Sequence, residues 1–75
     1  MKYERIRNLR EDMDIKQTTL ADYLNVSQRA YSRYENGERG IPLDTLIKIA
    51  DYYNTSIDYL LNRTDIREPY PPINS

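Results

Sequence analysis

Apolar residues recur at helical spacing in five short runs, and turn-forming residues separate each run from the next. Ile6, Leu9 and Met13 follow one face of a first helix, which the pattern places at about residues 2–13. No stretch keeps the alternating pattern of a strand for long. A chain of 75 residues is therefore limited to one small helical domain, since it is too short for a barrel or for two domains around a cleft.

Residues that cap helices mark where the other helices begin and end. Ser27 and Ser56 each precede a helical run, and a serine hydroxyl there accepts a hydrogen bond from an amide of the first turn. Gly37 and Asn54 each follow a run and tolerate the left-handed conformation that ends many helices. We expect the remaining helices over about residues 17–24, 28–35, 42 or 44 to 53, and 57–62, so the predicted fold class is all-α with five helices.

The character of the chain changes after Thr64. Residues 67–72 contain three of the four prolines, and a proline in a helix interior removes a backbone hydrogen bond and clashes with the preceding turn. We therefore expect a folded domain over residues 1–64 and an extended, proline-rich C-terminal tail over residues 65–75.

The composition excludes several classes of function. Without cysteine or histidine, the chain lacks thiolate metal ligands, disulfides and the commonest general base, and its two glycines cannot form a phosphate-binding loop. We expect no enzyme, metal, cofactor or small-molecule ligand; a hydrolase that uses the carboxylates is the enzymatic alternative, but no base, nucleophile or metal set can be assembled for it. No run of 18 apolar residues or apolar leader is present, so we expect a cytoplasmic protein without membrane contact.

The helices predicted at 17–24 and 28–35 are separated by a three-residue turn. This spacing, over about residues 17–36, is typical of a helix-turn-helix, whose second helix enters the major groove of DNA. At 100° per residue, one arc of that second helix is polar and the opposite arc carries Tyr31 and Tyr34. The polar arc contains Gln28, Arg29, Ser32, Arg33 and Asn36. Arginine can bond guanine and glutamine can bond adenine in a bidentate manner, although the same arc on an arbitrary helix is usually a solvated face.

Several separated motifs agree in order and spacing along about residues 3–62. They are Gln17 followed by Leu20-Ala21, Val26-Ser27, SRYENG at residues 32–37, LDTLIKIA at 43–50 and SIDYLL at 56–61. Together they resemble the phage repressor/Cro-type (Xre-like) helix-turn-helix family. The resemblance implies a compact five-helix, lambda-repressor-like DNA-binding domain.

The resemblance also implies a role for each matching position. The positions that face base edges are Ser27, Gln28, Arg29, Ser32 and Arg33, with Ser32 at the periphery. The positions that contact the DNA backbone are Arg10, Gln17, Asn36 and Arg39. Arg10 and Glu35 match a buried or half-buried ion pair of the family.

Three residues depart from the pattern of that family, and one of them is Tyr31, which replaces a usual aliphatic residue. Asp14 stands where glycine usually ends the first helix, and aspartate adopts the left-handed conformation less readily than glycine. Lys16 stands where serine or threonine often caps the second helix. We expect Lys16 to lie near the DNA backbone, so its charge offsets part of the lost cap.

The expected function is sequence-specific binding of double-stranded DNA by a transcriptional regulator, most often a repressor. One domain reads about one half-site, so we expect a homodimer on a pseudo-palindromic operator. The expected dimer surface is helix 5 and the tail, with Ile57, Leu60, Leu61, Ile66, Tyr70 and Ile73. The alternative is a protein-interaction module, such as an antitoxin or antirepressor-type partner, whose binding lacks the steep salt dependence of phosphate contacts.

Overall fold

The structure is a computed structural model that describes residues 3–69, and these residues form five helices without a strand. The helices are α1 (Glu4–Asp12), α2 (Gln17–Leu24), α3 (Gln28–Asn36), α4 (Leu43–Tyr53) and α5 (Ile57–Leu60). The all-α prediction with five helices is confirmed. The sequence placed the end of α5 two residues too late, because the chain turns at Asn62, where φ is 61°.

Short-range capping bonds fix the ends of three helices. The Ser27 hydroxyl accepts a hydrogen bond from the Ala30 amide at 3.1 Å, and the Ser56 hydroxyl accepts one from the Tyr59 amide at 3.0 Å. Gly37 and Asn54 end α3 and α4 in the left-handed conformation, with φ of 74° and 52°. The predicted caps at these four residues are confirmed.

The turn between α1 and α2 contains two of the three departures from the family pattern, Asp14 and Lys16. Asp14 has a φ of 57°, in the left-handed region where a side chain is strained. Lys16 occupies the N-cap of α2, and its side chain makes no capping bond. The first amides of α2 are therefore without a side-chain cap.

Replacing Asp14 with glycine should raise the free energy of unfolding by about 0.5–1 kcal/mol, because glycine adopts a positive φ without strain. Thermal or urea unfolding measures the change. The matched control is Asp12→Gly, which removes the same charge from the last residue of α1. There glycine should lower stability by a few tenths to about 1 kcal/mol, since that backbone is helical. If the two variants changed the free energy of unfolding equally, the effect of Asp14→Gly would not come from the positive φ of Asp14.

The core draws side chains from every helix. The buried apolar residues are Ile6, Leu9, Leu20, Ala21, Leu24, Tyr31, Tyr34, Leu46, Ile49, Ala50, Tyr53 and Leu60. Tyr31 has no exposed surface, and burial together with the Glu35 carboxylate raises its pKa above the ordinary tyrosine value. The ring of Tyr31 therefore stays neutral and anchors the inner face of α3 to the core.

The first residues after α5 pack back on the domain. The Arg67 carbonyl accepts hydrogen bonds from the Thr55 hydroxyl at 2.7 Å and the Ser56 amide at 3.0 Å. From α1, Arg5 donates to the Thr64 carbonyl at 2.5 Å and to the Asp65 carboxylate at 2.9 Å. Residues 64–67 are thus tied both to α1 and to the turn that precedes α5.

The residues expected at a dimer surface differ in accessibility. Leu60 is 1% exposed and lies in the core, so the expectation that it contacts a partner is wrong. Ile57 and Leu61 are half-buried, and Ile66 is 66% exposed. Tyr70 and Ile73 lie outside the described residues.

Two kinds of feature are absent from residues 3–69. No helix there is both long and apolar enough to span a bilayer. In the same residues, no group of three or more acidic, histidine or cysteine side chains is placed to hold a metal ion.

Candidate nucleic-acid interface

A tight turn joins α2 to α3. Asn25 ends α2 in the left-handed conformation with a φ of 58°, and the Val26 amide donates to the Ala21 carbonyl at 2.9 Å. Ser27 then opens α3. The two helices pack against each other, and Leu20 and Ala21 of α2 are buried in the same core as Tyr31 of α3.

The two faces of α3 differ in burial and in chemistry. Tyr31, Tyr34 and Glu35 are buried on the inner face. The outer face carries Gln28, Arg29, Ser32, Arg33 and Asn36, all of which are exposed except the half-buried Ser32. The predicted division of this helix into a core face and a polar face is therefore observed.

A shallow groove collects side chains from α2, α3 and the loop that follows. It is lined by Gln17, Gln28, Arg29, Ser32, Arg33 and Glu38. The groove therefore brings the first residue of α2 beside four of the five residues expected to face bases. The fifth, Ser27, is exposed at the start of α3, where its oxygen accepts the capping bond and its hydrogen can still be donated.

Beneath the outer face of α3, Arg10 and Glu35 form a bidentate ion pair. The Nε–Oε2 distance is 2.6 Å and the Nη2–Oε1 distance is 3.2 Å, while Nη1 donates to the Ile15 carbonyl at 2.9 Å. The side chains are only 14% and 1% exposed. The hydrogen bond to Glu35 raises the pKa of Arg10 above its ordinary value, so Arg10 stays charged, and the bidentate bonds hold α1 to α3.

The same carboxylate orients Gln17. The Gln17 side-chain nitrogen donates to Glu35 Oε1 at 3.3 Å, which fixes the side chain at the start of α2. The second hydrogen of that amide remains available for a phosphate. The uncapped amides in the first turn of α2 lie at the positive end of the same helix.

The other residues expected at the DNA backbone lie outside the groove. Asn36, at the end of α3, borders a second depression with Arg7 and Glu11 of α1. Arg39, in the loop after α3, and Lys16, before α2, are exposed. None of these three side chains lines the groove.

Sequence reasoning missed Glu38. A helical wheel stops at the end of α3, whereas Gly37 turns the chain back beside that helix. The Glu38 amide donates to the Arg33 carbonyl at 3.0 Å, which closes the turn. The left-handed glycine was the available signal, since the residue after such a cap returns toward the last helical turn.

A family model described as helix-turn-helix matches residues 6–60. The chain belongs to the helix-turn-helix family. This family membership agrees with the resemblance read from the sequence motifs, and the matched region contains the whole of α2, the turn and α3.

Curated relatives of this helix-turn-helix chain carry the names of regulators. The uncharacterized HTH-type transcriptional regulator YobD of Bacillus subtilis (strain 168) is 33% identical over 66 residues, covering 88% of this chain and 59% of the relative. The cryptic phage CTXphi transcriptional repressor RstR of Vibrio cholerae is 41% identical over 61 residues, with coverage of 80% and 54%. The HTH-type transcriptional regulator ImmR of Bacillus subtilis is 33% identical, with coverage of 84% and 50%.

This helix-turn-helix chain spans between half and three fifths of the length of these relatives. No solved structure matches it significantly. The names of the relatives agree with the expectation of a regulator rather than an enzyme.

Proposed function

We propose that this helix-turn-helix domain binds double-stranded DNA sequence-specifically and acts as a transcriptional regulator, specifically as a repressor. The observation that supports this most directly is the groove where the exposed polar face of α3 meets Gln17 at the start of α2. An arrangement of this kind places one helix in the major groove and the other across the backbone. The relatives named above come from bacteria, whose chromosome lies in the cytoplasm, so we also propose a cytoplasmic location.

The side chains in the groove suit direct reading of bases. Arg29 and Arg33 can each donate two hydrogen bonds to guanine, and Gln28 can bond adenine. Ser27 and Ser32 are short hydroxyl groups at the edge of this set and can contact either kind of base. All five are proposed as base-contacting residues.

The surrounding residues suit contacts with phosphate. Gln17 presents an oriented amide, and Lys16, Asn36 and Arg39 present exposed donors. Arg10 is also a proposed backbone contact, although its Nε and Nη2 are already bonded to Glu35. Its larger role is to neutralise a carboxylate that would otherwise repel DNA from beneath α3.

We propose that the protein acts as a homodimer on a pseudo-palindromic operator, with half-site centres about 34 Å apart. One short recognition helix reads too few base pairs to select a site in a genome. The accessible apolar residues of the proposed dimer surface are Ile57, Leu61 and Ile66. Tyr70 and Ile73 belong to the same proposal.

Replacing Ile66 with aspartate should weaken self-association by about tenfold or more, because the variant places a charge within an apolar contact. Sedimentation at several concentrations measures the change. The matched control is Leu43→Asp, since Leu43 is 67% exposed on α4, against 66% for Ile66. Dissociation by Leu43→Asp alone would move the dimer surface to α4 and contradict the proposal.

Selection of bound duplexes from a random DNA pool at moderate salt tests the proposed function. We expect a motif with two related half-sites, bound with an affinity that falls steeply with salt because each phosphate contact contributes a log–log slope of about −0.9. A selected motif with a single half-site would support DNA binding but contradict the proposed homodimer. If no sequence is enriched, the DNA-binding proposal is overturned. That result would favour a protein-interaction module, such as an antitoxin or antirepressor-type partner.

A further inference from the structure

Glu38 is a carboxylate on the face that we propose meets DNA. It lines the groove with Gln28, Arg29 and Arg33, and its side chain is exposed. Within residues 3–69, no ion pair joins Glu38 to any of the neighbouring arginines. Its position therefore places an unpaired negative charge among the side chains that face the bases.

The backbone holds the Cα of Glu38 beside the groove. Gly37 adopts a φ of 74°, and its amide donates to the Tyr34 carbonyl at 3.2 Å. The next amide, that of Glu38, donates to the Arg33 carbonyl at 3.0 Å. Because both bonds close the end of a packed helix, the Glu38 backbone cannot swing away from the groove without breaking them.

A carboxylate whose backbone is held beside DNA must either find a donor or oppose binding. Phosphates surround it with like charge at distances comparable with the Debye length, so salt only partly screens the repulsion. Removing water from an ionised carboxylate without supplying a hydrogen bond adds a further cost. An operator that presents a donor opposite Glu38 avoids that cost, and a random sequence does not.

The major-groove edge of cytosine is the donor that fits a carboxylate best. Cytosine presents only its N4 amino group there, whereas adenine places the N7 acceptor beside its amino group. Guanine and thymine present acceptors, which repel a carboxylate. Glutamate accepting a hydrogen bond from cytosine N4 is an established pairing in direct readout.

We propose that Glu38 is a specificity-determining residue that selects cytosine at one position of each half-site and penalises DNA without it. This inference rests on the proposed DNA-binding function. It assigns one acidic reader to a groove whose other readers, Gln28, Arg29, Ser32 and Arg33, all offer hydrogen-bond donors.

The test selects operators from the same random pool with wild-type protein, Glu38→Ala and a control. The control is Asp51→Ala, which removes the same charge from α4, where Asp51 borders a depression with Ile47 and Pro69. We expect the wild-type motif to contain a cytosine that Glu38→Ala no longer selects, with discrimination at that position reduced by about threefold to tenfold. Asp51→Ala should select the wild-type motif.

Titration of labelled duplexes completes the test. Affinity of Glu38→Ala for a random-sequence duplex should rise by about twofold to tenfold near 0.1 M salt, and this gain should shrink at higher salt. Affinity for the wild-type operator should rise less or fall, because the cytosine contact is lost. An unchanged selected motif, or an equal gain on both duplexes, would overturn the proposal. If wild-type protein selects no motif, the DNA-binding function itself fails, which is a distinct result.

Discussion

Replacing Glu35 with alanine should lower the free energy of unfolding by about 3 kcal/mol. Glu35 is 1% exposed on its side chain and accepts both bonds of the Arg10 pair and the bond from Gln17. The substitution leaves the guanidinium of Arg10 charged in a largely buried place without its partner. Breaking such a pair is costly because the desolvation of the remaining charge is no longer compensated.

A 75-residue domain has a free energy of unfolding of only about 4–11 kcal/mol, so the variant can be close to unfolding at room temperature. Urea unfolding at low temperature therefore measures the loss. The control is Glu11→Ala, which breaks the Arg7–Glu11 pair, where both side chains are more than half exposed and the atoms lie 3.6 Å apart. That change should alter stability by no more than about 0.5 kcal/mol.

A double substitution separates the cost of an orphaned charge from the value of the pair. Arg10→Met combined with Glu35→Leu should be less destabilising than Glu35→Ala alone, because no buried charge remains. A loss from Glu35→Ala as small as that from Glu11→Ala would contradict the buried ion pair.

The sequence predicted several helix ends well because the chemistry that decides them is local. Ser27 and Ser56 bond an amide three residues ahead, and Gly37 and Asn54 tolerate a left-handed backbone by themselves. The core face of α3 could be predicted equally well from the sequence, because its two tyrosines lie on the same side of a nine-residue helix. Each of these inferences needs information from within about two turns of helix.

What escaped prediction depends on contacts distant in sequence or on helices too short to show a face. The helix α5 has four residues, so its pattern could not separate the buried Leu60 from the half-buried Leu61 next to it. The bonds from Arg5 to Thr64 and Asp65 join residues about 60 positions apart, which no local pattern encodes. Glu38 escaped because its place in the groove depends on the turn at Gly37.

The roles proposed for Arg33 and Arg39 lead to different responses when each is replaced with alanine. Arg33 lies in the groove on the outer face of α3, whereas Arg39 is exposed in the loop beyond it. A base contact contributes only where its base is present, and a phosphate contact contributes on every sequence. The two variants remove the same charge, so their difference isolates the kind of contact.

We expect Arg33→Ala to lower affinity for the selected operator by about tenfold, within the range of 1–3 kcal/mol for a bidentate base contact. The discrimination lost should be confined to one or two base positions. Arg39→Ala should weaken operator and random duplexes by the same factor and make the log–log salt slope shallower by about 0.9. Titration of both duplexes at four or more salt concentrations gives all of these quantities.

The opposite pattern would reverse the assignments. If Arg33→Ala weakened all sequences equally and reduced the salt slope, Arg33 would be a phosphate contact and α3 would lie differently in the groove. If Arg39→Ala relaxed the preference at one base, the loop after α3 would reach the base edges. That second result would also bring Arg39 into competition with Glu38 for the same base pairs, because the two residues are adjacent in that loop.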